Sequence, residues 1–197
     1  MSSHSSSVLI LGTSHTARLH HDIVRMNGQI NPLALQNPMP TQLYGIRGGQ
    51  IQRSSHVQRW FRKVNSFRPA HLIVEIGGND IDSVGMTQSE AAEIALRIVT
   101  ILNMWKNQCG ITKVTILQLF PRQRPSHVTE LEFSQFIAIA NSEFERLAQL
   151  HGLTFWKIRN VWQPIVPIFR DGIHFNSEGT IRFYRSIRGA VTIQNVQ

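Results

Sequence analysis

The sequence predicts a three-layer α/β/α fold built on a five-stranded parallel sheet. Short apolar runs rich in β-branched residues alternate along the chain with longer stretches of helical periodicity, the pattern of repeated βαβ units. The runs are apolar throughout rather than alternating, as expected for strands that helices cover on both faces. With 197 residues, 42% of them hydrophobic, the chain is long enough to bury one substantial core.

Five apolar runs predict the strands. The three strongest lie at 8–11, 72–76 and 114–119, and two shorter runs lie at 42–45 and 153–156. Parallel strands joined by right-handed crossovers have their carboxyl ends at one edge of the sheet, where ligands bind in such folds. Chemistry is therefore expected in the residues that directly follow each strand.

Helices fill the intervals between the strands. Thr87 and Glu90 have the spacing of a capping box and open a helix that ends near Cys109 and Gly110. Further helices are predicted directly after the first strand and in three other intervals, 50–67, 131–150 and 177–191. Serine-rich residues 1–7 predict a disordered leader, and residues 8–197 predict a single domain.

Composition narrows the class of protein. Only 16% of the residues are charged, and Gly and Pro occur at ordinary levels, which excludes a disordered or fibrous chain. No apolar run approaches the length that crosses a bilayer. The single Cys109 cannot form an intrachain disulfide or a cysteine-based zinc site. We expect a soluble intracellular protein, cytoplasmic or nuclear, with no metal and no other cofactor.

The formal net charge of +8 is unevenly distributed. Residues 1–70 carry eight Lys and Arg against one acid, and residues 151–197 carry six against two. The segment between them has an excess of acids. A basic balance of this kind suggests nucleic acid, an anionic membrane or an anionic substrate as partner.

Four short motifs fall at the predicted ligand-binding edge. Taken singly, each fits a turn, a helix cap or a surface pair. Taken together, they supply a serine, a histidine to accept its proton, a carboxylate to orient that histidine, and N–H donors for an oxyanion, which acyl transfer requires. In chain order they are Gly12-Thr13-Ser14-His15, Gly45-Ile46-Arg47-Gly48-Gly49, Gly77-Gly78-Asn79-Asp80 and Asp171-Gly172-Ile173-His174.

This constellation, in this order, resembles the SGNH (GDSL-like) hydrolase superfamily over nearly the whole chain. The resemblance implies a flavodoxin-like sheet of SGNH hydrolase type. It implies that Ser14 is the nucleophile, His174 the general base and Asp171 the group that orients it. It also implies an oxyanion hole formed by the backbone N–H groups of Ser14 and Gly48 and by the side chain of Asn79.

The chain departs from the family pattern at Thr13, where the family usually has Asp. A threonine can form hydrogen bonds but brings no charge, so the departure bears on the activity of the site. It removes no member of the triad.

A narrower resemblance links the chain to SGNH-like domains encoded in animal mobile elements, which suggests a retrotransposon association. It is carried by residues 76–80, 118–122, 171–176 and 184–190. A more distant relative is the OSK domain of Oskar, an SGNH-like fold that binds RNA and lacks the catalytic set. This chain retains the set, which favours an enzyme.

Three arginines on the last predicted helix are candidates for nucleic-acid contacts. Arg182, Arg185 and Arg188 recur at three-residue spacing, and Arg159 and Arg170 could extend the stripe. A solvated helix face is the alternative.

Other residues near the motifs also have two interpretations. Phe175, Phe183 and Tyr184 could stack on bases or pack in the core. His15 could line the site or serve a surface or capping role, and Arg47 could meet an anionic part of a substrate or simply be solvated in its turn. Four further residues predict a rigid apolar wall near the acyl pocket, with simple packing as the alternative: Trp162, Pro164, Pro167 and Phe169.

Two functions from different classes follow. The first is a serine esterase that hydrolyses small, acetyl-type acyl esters through an acyl-enzyme intermediate, since no long insertion supplies a lid. The alternative is a module on the same fold that binds RNA or another polyanion. The expected partners are accordingly a small ester or acylated substrate in the first case, and a polyanion in the second.

Overall fold

The computed structural model describes residues 6–27, 31–159 and 167–192. Its five strands form one parallel sheet with the order β2-β1-β3-β4-β5. The strands after β2 are added on the opposite side of β1, so the sheet has a switch point between β1 and β3. A crevice at such a switch point is the usual ligand site of the fold. The strands are β1 (Val8–Gly12), β2 (Thr41–Gly45), β3 (His71–Glu75), β4 (Lys113–Leu117) and β5 (Thr154–Trp156).

Helices cover both faces of the sheet, so the predicted three-layer α/β/α fold is confirmed. Leu9 and Leu11 pack with α2, α4 and α5 in one apolar cluster, whereas Val8 and Ile10 pack with α1 and α6 in the other. This is the period-two alternation of a strand buried on both sides. The helices are α1 (Ser14–Asn27), α2 (Ser54–Phe67), α3 (Gly78–Ile81), α4 (Gln88–Cys109), α5 (Glu130–Leu150) and α6 (Ser177–Thr192).

Two element boundaries differ from the sequence prediction by two or more residues, each for an identifiable reason. The strand predicted at 114–119 ends at Leu117, because the Asn141 side chain takes over the backbone hydrogen bonds of Leu119. The helix predicted at 50–67 begins at Ser54, since Asp80 Oδ1 accepts the N–H of Gln52 and holds the preceding residues as a turn. Side chains distant in sequence therefore set both boundaries.

The helix signals read from the sequence are present. Thr87 and Glu90 form the predicted capping box at the start of α4, and Gly110 ends that helix in the left-handed conformation.

In the described ranges, no helix is long and apolar enough to span a membrane. Ser7 accepts hydrogen bonds from the N–H groups of Ala70 and His71, and residues 1–5 lie outside the described part. The division into a leader and one domain stays a prediction.

A buried carboxylate, Glu75, ties the end of β3 to the turn between β1 and α1. Its Oε2 accepts the Thr13 N–H at 3.0 Å, and both its oxygens lie 3.1 Å from the Thr13 hydroxyl. The Thr16 hydroxyl adds a bond of 3.3 Å. Burial raises the pKa of Glu75 to about 7, although the hydrogen bonds from Thr13 and Thr16 act to lower it.

These contacts account for the threonine at position 13. An aspartate there would set a second carboxylate against Glu75 in a buried site, where like charges repel strongly. A threonine instead offers a hydroxyl donor to the carboxylate that is already present. The carboxyl group beside the turn therefore comes from β3 rather than from the turn itself.

The start of α1 also requires close backbone approach to β2. A Cβ on Gly45 would lie 2.8 Å from Ala17 Cα and closer still to Ala17 N, where no side chain can move aside. Gly45 is thus needed for space and not for a special backbone angle.

We predict that Gly45→Ala lowers the free energy of unfolding by about 2–3 kcal/mol, since it overpacks backbone against backbone. Urea denaturation measures the change. Gly110→Ala is the matched control, because Gly110 has φ +67 with open space around it. That control should cost about 1–2 kcal/mol from the left-handed conformation alone. A Gly45 variant no less stable than the Gly110 variant would contradict the steric account.

Glu75 predicts a specific pH dependence of stability. Between pH 4.5 and about 7 the folded protein retains a proton on Glu75 that the unfolded chain has released. The contribution of this proton to the free energy of unfolding is fully present below pH 4.5 and is lost as pH rises through about 7.

Glu75→Gln removes this proton equilibrium. The free energy of unfolding of the wild type minus that of the variant should fall by roughly 3 kcal/mol between about pH 4 and pH 8. Urea denaturation at each pH gives the difference, and Glu93→Gln, at an exposed site, measures the general effect of removing a carboxylate. A difference that stays constant with pH would show that Glu75 has no raised pKa.

Candidate active site

Ser14 lies at the point where β1 turns into α1. It is the first residue of α1, and the Thr13 carbonyl accepts the first helical hydrogen bond from Ala17 N at 3.0 Å. The N–H of Ser14 consequently has no acceptor within the helix, and the positive end of the helix dipole lies at this residue. Ser14 is 9% exposed, so it borders the surface of the sheet edge.

Asp171 and His174 form a hydrogen-bonded pair on the loop before α6. Asp171 Oδ2 lies 2.8 Å from His174 Nδ1, and Asp171 Oδ1 accepts the backbone N–H groups of His174 at 2.7 Å and Ile173 at 3.0 Å. Partial burial acts to raise the pKa of Asp171, but these hydrogen bonds hold it well below its usual range. An ionised Asp171 engages Nδ1 as a donor, which leaves Nε2 as the nitrogen able to accept a proton.

His15 connects this pair to the start of α1. Its ring centroid lies 5.9 Å from that of His174 and 4.5 Å from that of Phe175, and the side chain is buried. Desolvation, followed by the nearby charges of Arg122 and His174, lowers the pKa of His15 to about 3, so the ring is neutral. The surface or capping role considered for His15 is therefore wrong.

The predicted nucleophile and base are brought to the same edge through His15 but are not hydrogen-bonded to each other. Within the described residues, no hydrogen bond joins the Ser14 hydroxyl to His174. Such bonds are often long in enzymes without substrate and tighten when substrate binds.

Gly48 and Asn79 meet at the same edge. Asn79 Nδ2 donates to the Gly49 carbonyl at 3.0 Å, and Gln50 Nε2 donates to the Asn79 carbonyl at 3.1 Å. Gly48 is exposed, has φ +65, and in the described part of the chain its N–H has no acceptor. The loop after β2 and the short helix α3 are thus hydrogen-bonded to each other at this edge of the sheet.

Buried Asp80 holds these two segments together. It is 0% exposed, and its Oδ1 accepts the N–H of Gln52 at 3.1 Å. Burial raises its pKa to about 6, although hydrogen bonds from Ile51, Gln52 and its own N–H act to lower it. Asp80 therefore has a structural role in placing Asn79 beside Gly48.

Arg122 is a site residue to which the sequence reasoning assigned no role. Its Nη2 donates to Asn79 Oδ1 and its Nη1 to Asp82 Oδ2, both at 2.6 Å. Because a guanidinium only donates, Asn79 must present its carbonyl to Arg122, which directs its NH₂ group toward Gly49. Arg122 closely follows β4, so the rule of searching each strand end would have indicated it.

The basic residues of α6 are mostly engaged within the protein. Arg182 Nε donates to Glu178 at 2.7 Å. Arg188 donates to the Ala34 carbonyl at 3.1 Å and lies over the Tyr184 ring. Arg185 is exposed.

Phe175 and Phe183 are buried in the core cluster beside α1 and α6, as core packing predicted. Phe169 stacks on Phe175, whereas Trp162 and Pro164 lie outside the described residues.

Across the described residues, no group of three or more His, Cys, Asp or Glu side chains is arranged to hold a metal ion.

Several solved structures have a similar fold. One is a catalytic mutant of Axe2, an acetylxylan esterase from Geobacillus stearothermophilus, with TM-score 0.68 and 12% identity over 98% of this chain and 96% of that chain. A second is the acetyl xylan esterase AlAXEase, with TM-score 0.62 and 16% identity over 94% and 99%. A third is a lipase/acylhydrolase from Enterococcus faecalis, with TM-score 0.58 and 16% identity over 94% and 96%. At these identities the similarity concerns the fold.

Sequence comparison supplies the family. No curated protein matches the chain. The family model of the GDSL-like lipase/acylhydrolases matches residues 11–180, a range that includes every residue of the predicted triad and oxyanion hole. The chain therefore belongs to the GDSL-like lipase/acylhydrolase family and is a hydrolase of the SGNH type.

Proposed function

We propose that this protein is a serine esterase that hydrolyses short acyl esters, with Ser14, His174 and Asp171 as its triad. The observation that carries the proposal is the 2.8 Å contact between Asp171 Oδ2 and His174 Nδ1, on a loop that packs against His15, the residue directly after Ser14. The carboxylate stabilises the histidine cation that forms when the base takes a proton.

In the proposed reaction, Ser14 Oγ attacks the ester carbonyl carbon while His174 Nε2 takes the hydroxyl proton. The carbonyl oxygen becomes an oxyanion, which the N–H groups of Ser14 and Gly48 and the Asn79 Nδ2 stabilise. Collapse breaks the bond to the alcohol oxygen, which receives the proton from His174. Water then attacks the acyl-enzyme in the same way, releasing the acid and restoring Ser14.

A short acyl group is favoured by the names of two similar structures. Both are acetylxylan esterases, which supports an acetyl group as the transferred acyl. The resemblance to domains of animal mobile elements, and more distantly to Oskar, stays a prediction about the origin of the chain.

We do not propose nucleic-acid binding as a second function. Arg182 and Arg188, two of the three candidate contacts, are already engaged by Glu178, Ala34 and Tyr184. Neither the family match nor the similar structures support an RNA partner.

We predict that Ser14→Ala lowers kcat for 4-nitrophenyl acetate at least about a thousandfold, because it removes the nucleophile. Ser142→Ala, at an exposed position of α5, is the matched control and should retain activity. For the wild type, kcat/KM should fall from the acetate to the butyrate and the octanoate. Equal turnover by the wild type and Ser14→Ala would refute the proposed triad.

Arg122 is predicted to act as a positioning residue through Asn79. Asn79→Ala should lower kcat roughly 10²–10³-fold, as removal of an oxyanion donor does in related chemistry. Arg122→Lys retains the charge but lacks the planar pair of nitrogens that binds Asn79 and Asp82 at once, so we expect a roughly tenfold to hundredfold loss of kcat with KM little changed.

The double variant separates positioning from a general structural effect. If Arg122 acts through Asn79, Arg122→Lys combined with Asn79→Ala should be no slower than Asn79→Ala alone. Losses that multiply would show that Arg122 contributes by another route.

A further inference from the structure

A cavity of about 270 Å³ opens beside the loop that carries Asp171 and His174. Three guanidinium side chains line it, and they come from three separate segments: Arg18 from α1, Arg47 from the loop after β2, and Arg170 from the loop before α6. Its apolar wall includes Leu19, Phe175 and Phe183. A small cleft with an apolar wall and a few converging polar groups is the usual form of a small-molecule site.

The cations of this cavity are incompletely neutralised. The Nε of Arg18 is buried without a hydrogen-bond partner, and in the described part of the chain neither Arg18 nor Arg47 forms an ion pair with a carboxylate. Desolvation, followed by repulsion from Arg170, lowers the pKa of Arg18; Asp171 and, more weakly, Asp22 act to raise it, and Arg47 lowers it further. The three like charges repel one another, and an added anion would offset that repulsion.

Two carboxylates offset only part of this positive charge. Asp22 also lines the cavity, and its Oδ1 lies 3.3 Å from His21 Nδ1. Asp171 is bonded to His174, and its Oδ2 also lies 3.5 Å from Arg170 Nε. The cavity therefore has an excess of positive charge.

The three arginines are close in sequence to residues of the predicted triad and oxyanion hole. Arg18 lies four residues after Ser14, one helical turn along the same face of α1. Arg47 directly precedes Gly48, and Arg170 directly precedes Asp171, so each pair of Cα atoms is about 3.8 Å apart. An anion held by the three arginines would consequently be near an ester carbonyl placed at Ser14.

We propose that this cavity is a subsite for an anionic group, a carboxylate or a phosphate, on the ester substrate. The inference rests on the esterase function proposed above and adds the class of substrate. Guanidinium groups match both anions in geometry, because their paired N–H donors face two oxygens. The lone Nε–H of Arg18 and the exposed guanidinium of Arg47 supply donors that no group of the described chain uses.

Three acetate esters of matched shape test the subsite: methyl 4-acetoxybenzoate, which is neutral, 4-acetoxybenzoate and 4-acetoxyphenyl phosphate. Each kcat/KM is divided by the alkaline hydrolysis rate of the same ester, which removes differences in intrinsic reactivity. The wild type should prefer at least one anionic ester by about tenfold or more, mainly through KM. Added salt should weaken the preference, because Arg47 is exposed.

Arg18→Gln and Arg47→Gln should each reduce that preference about tenfold. Arg185→Gln, which removes an exposed cation of α6 away from the cavity, should leave the preference intact. The ratio between the two anionic esters identifies whether a carboxylate or a phosphate is preferred. Equal normalised values for all three esters would overturn the subsite and leave the esterase standing.

Binding to Ser14→Ala separates the subsite from the reaction. Calorimetry with benzoate and phenyl phosphate measures anion affinity where no turnover occurs. Binding that weakens about tenfold when Arg18→Gln is added supports the subsite, even if the wild type hydrolyses none of the three esters. Absence of binding to either anion overturns it, and absence of hydrolysis alone overturns only the esterase.

Discussion

The buried carboxylate of Glu75 connects the centre of the sheet to the residue on which the proposed chemistry depends. It receives the backbone N–H and the hydroxyl of Thr13 and the hydroxyl of Thr16, so the first turn of α1 is held against the end of β3. A charge or dipole in a low-dielectric interior must be fully partnered to be tolerated. The position of Ser14, which lies between these two threonines, follows from that requirement.

Arg122 organises the other half of the site in the same way. Its two nitrogens bind Asp82 and Asn79, and Asp82 in turn accepts the N–H groups of Ser126 and His127 in the loop before α5. One cation thereby connects α3, the end of β4 and the approach to α5. The orientation of the Asn79 amide is a consequence of this network, because only its oxygen can face a group that has no acceptor.

The positions of the arginines say more about where an anion could bind than the net charge of +8 does. On α6, Arg182 and Arg188 are engaged with groups of the protein and contribute less to a free basic surface than their number suggests. Beside the proposed triad, Arg18 and Arg47 converge without carboxylate partners among the described residues. Charge that looks generic in a composition can therefore be concentrated at a cavity, where a low-dielectric wall strengthens its effect.

The sequence by itself determined the architecture and the four motifs. Strand and helix periodicity, the capping box of Thr87 and the glycines after the strands are local signals, and parallel connectivity then places the motifs at one edge. The tertiary structure alone decided how those motifs are supported. Glu75 meets Thr13, Arg122 meets Asn79 and His15 is buried against Phe175, through contacts between residues 43 to 160 positions apart. No local pattern encodes such pairs, because they depend on which side chains the packed sheet and helices bring within hydrogen-bond distance and remove from water.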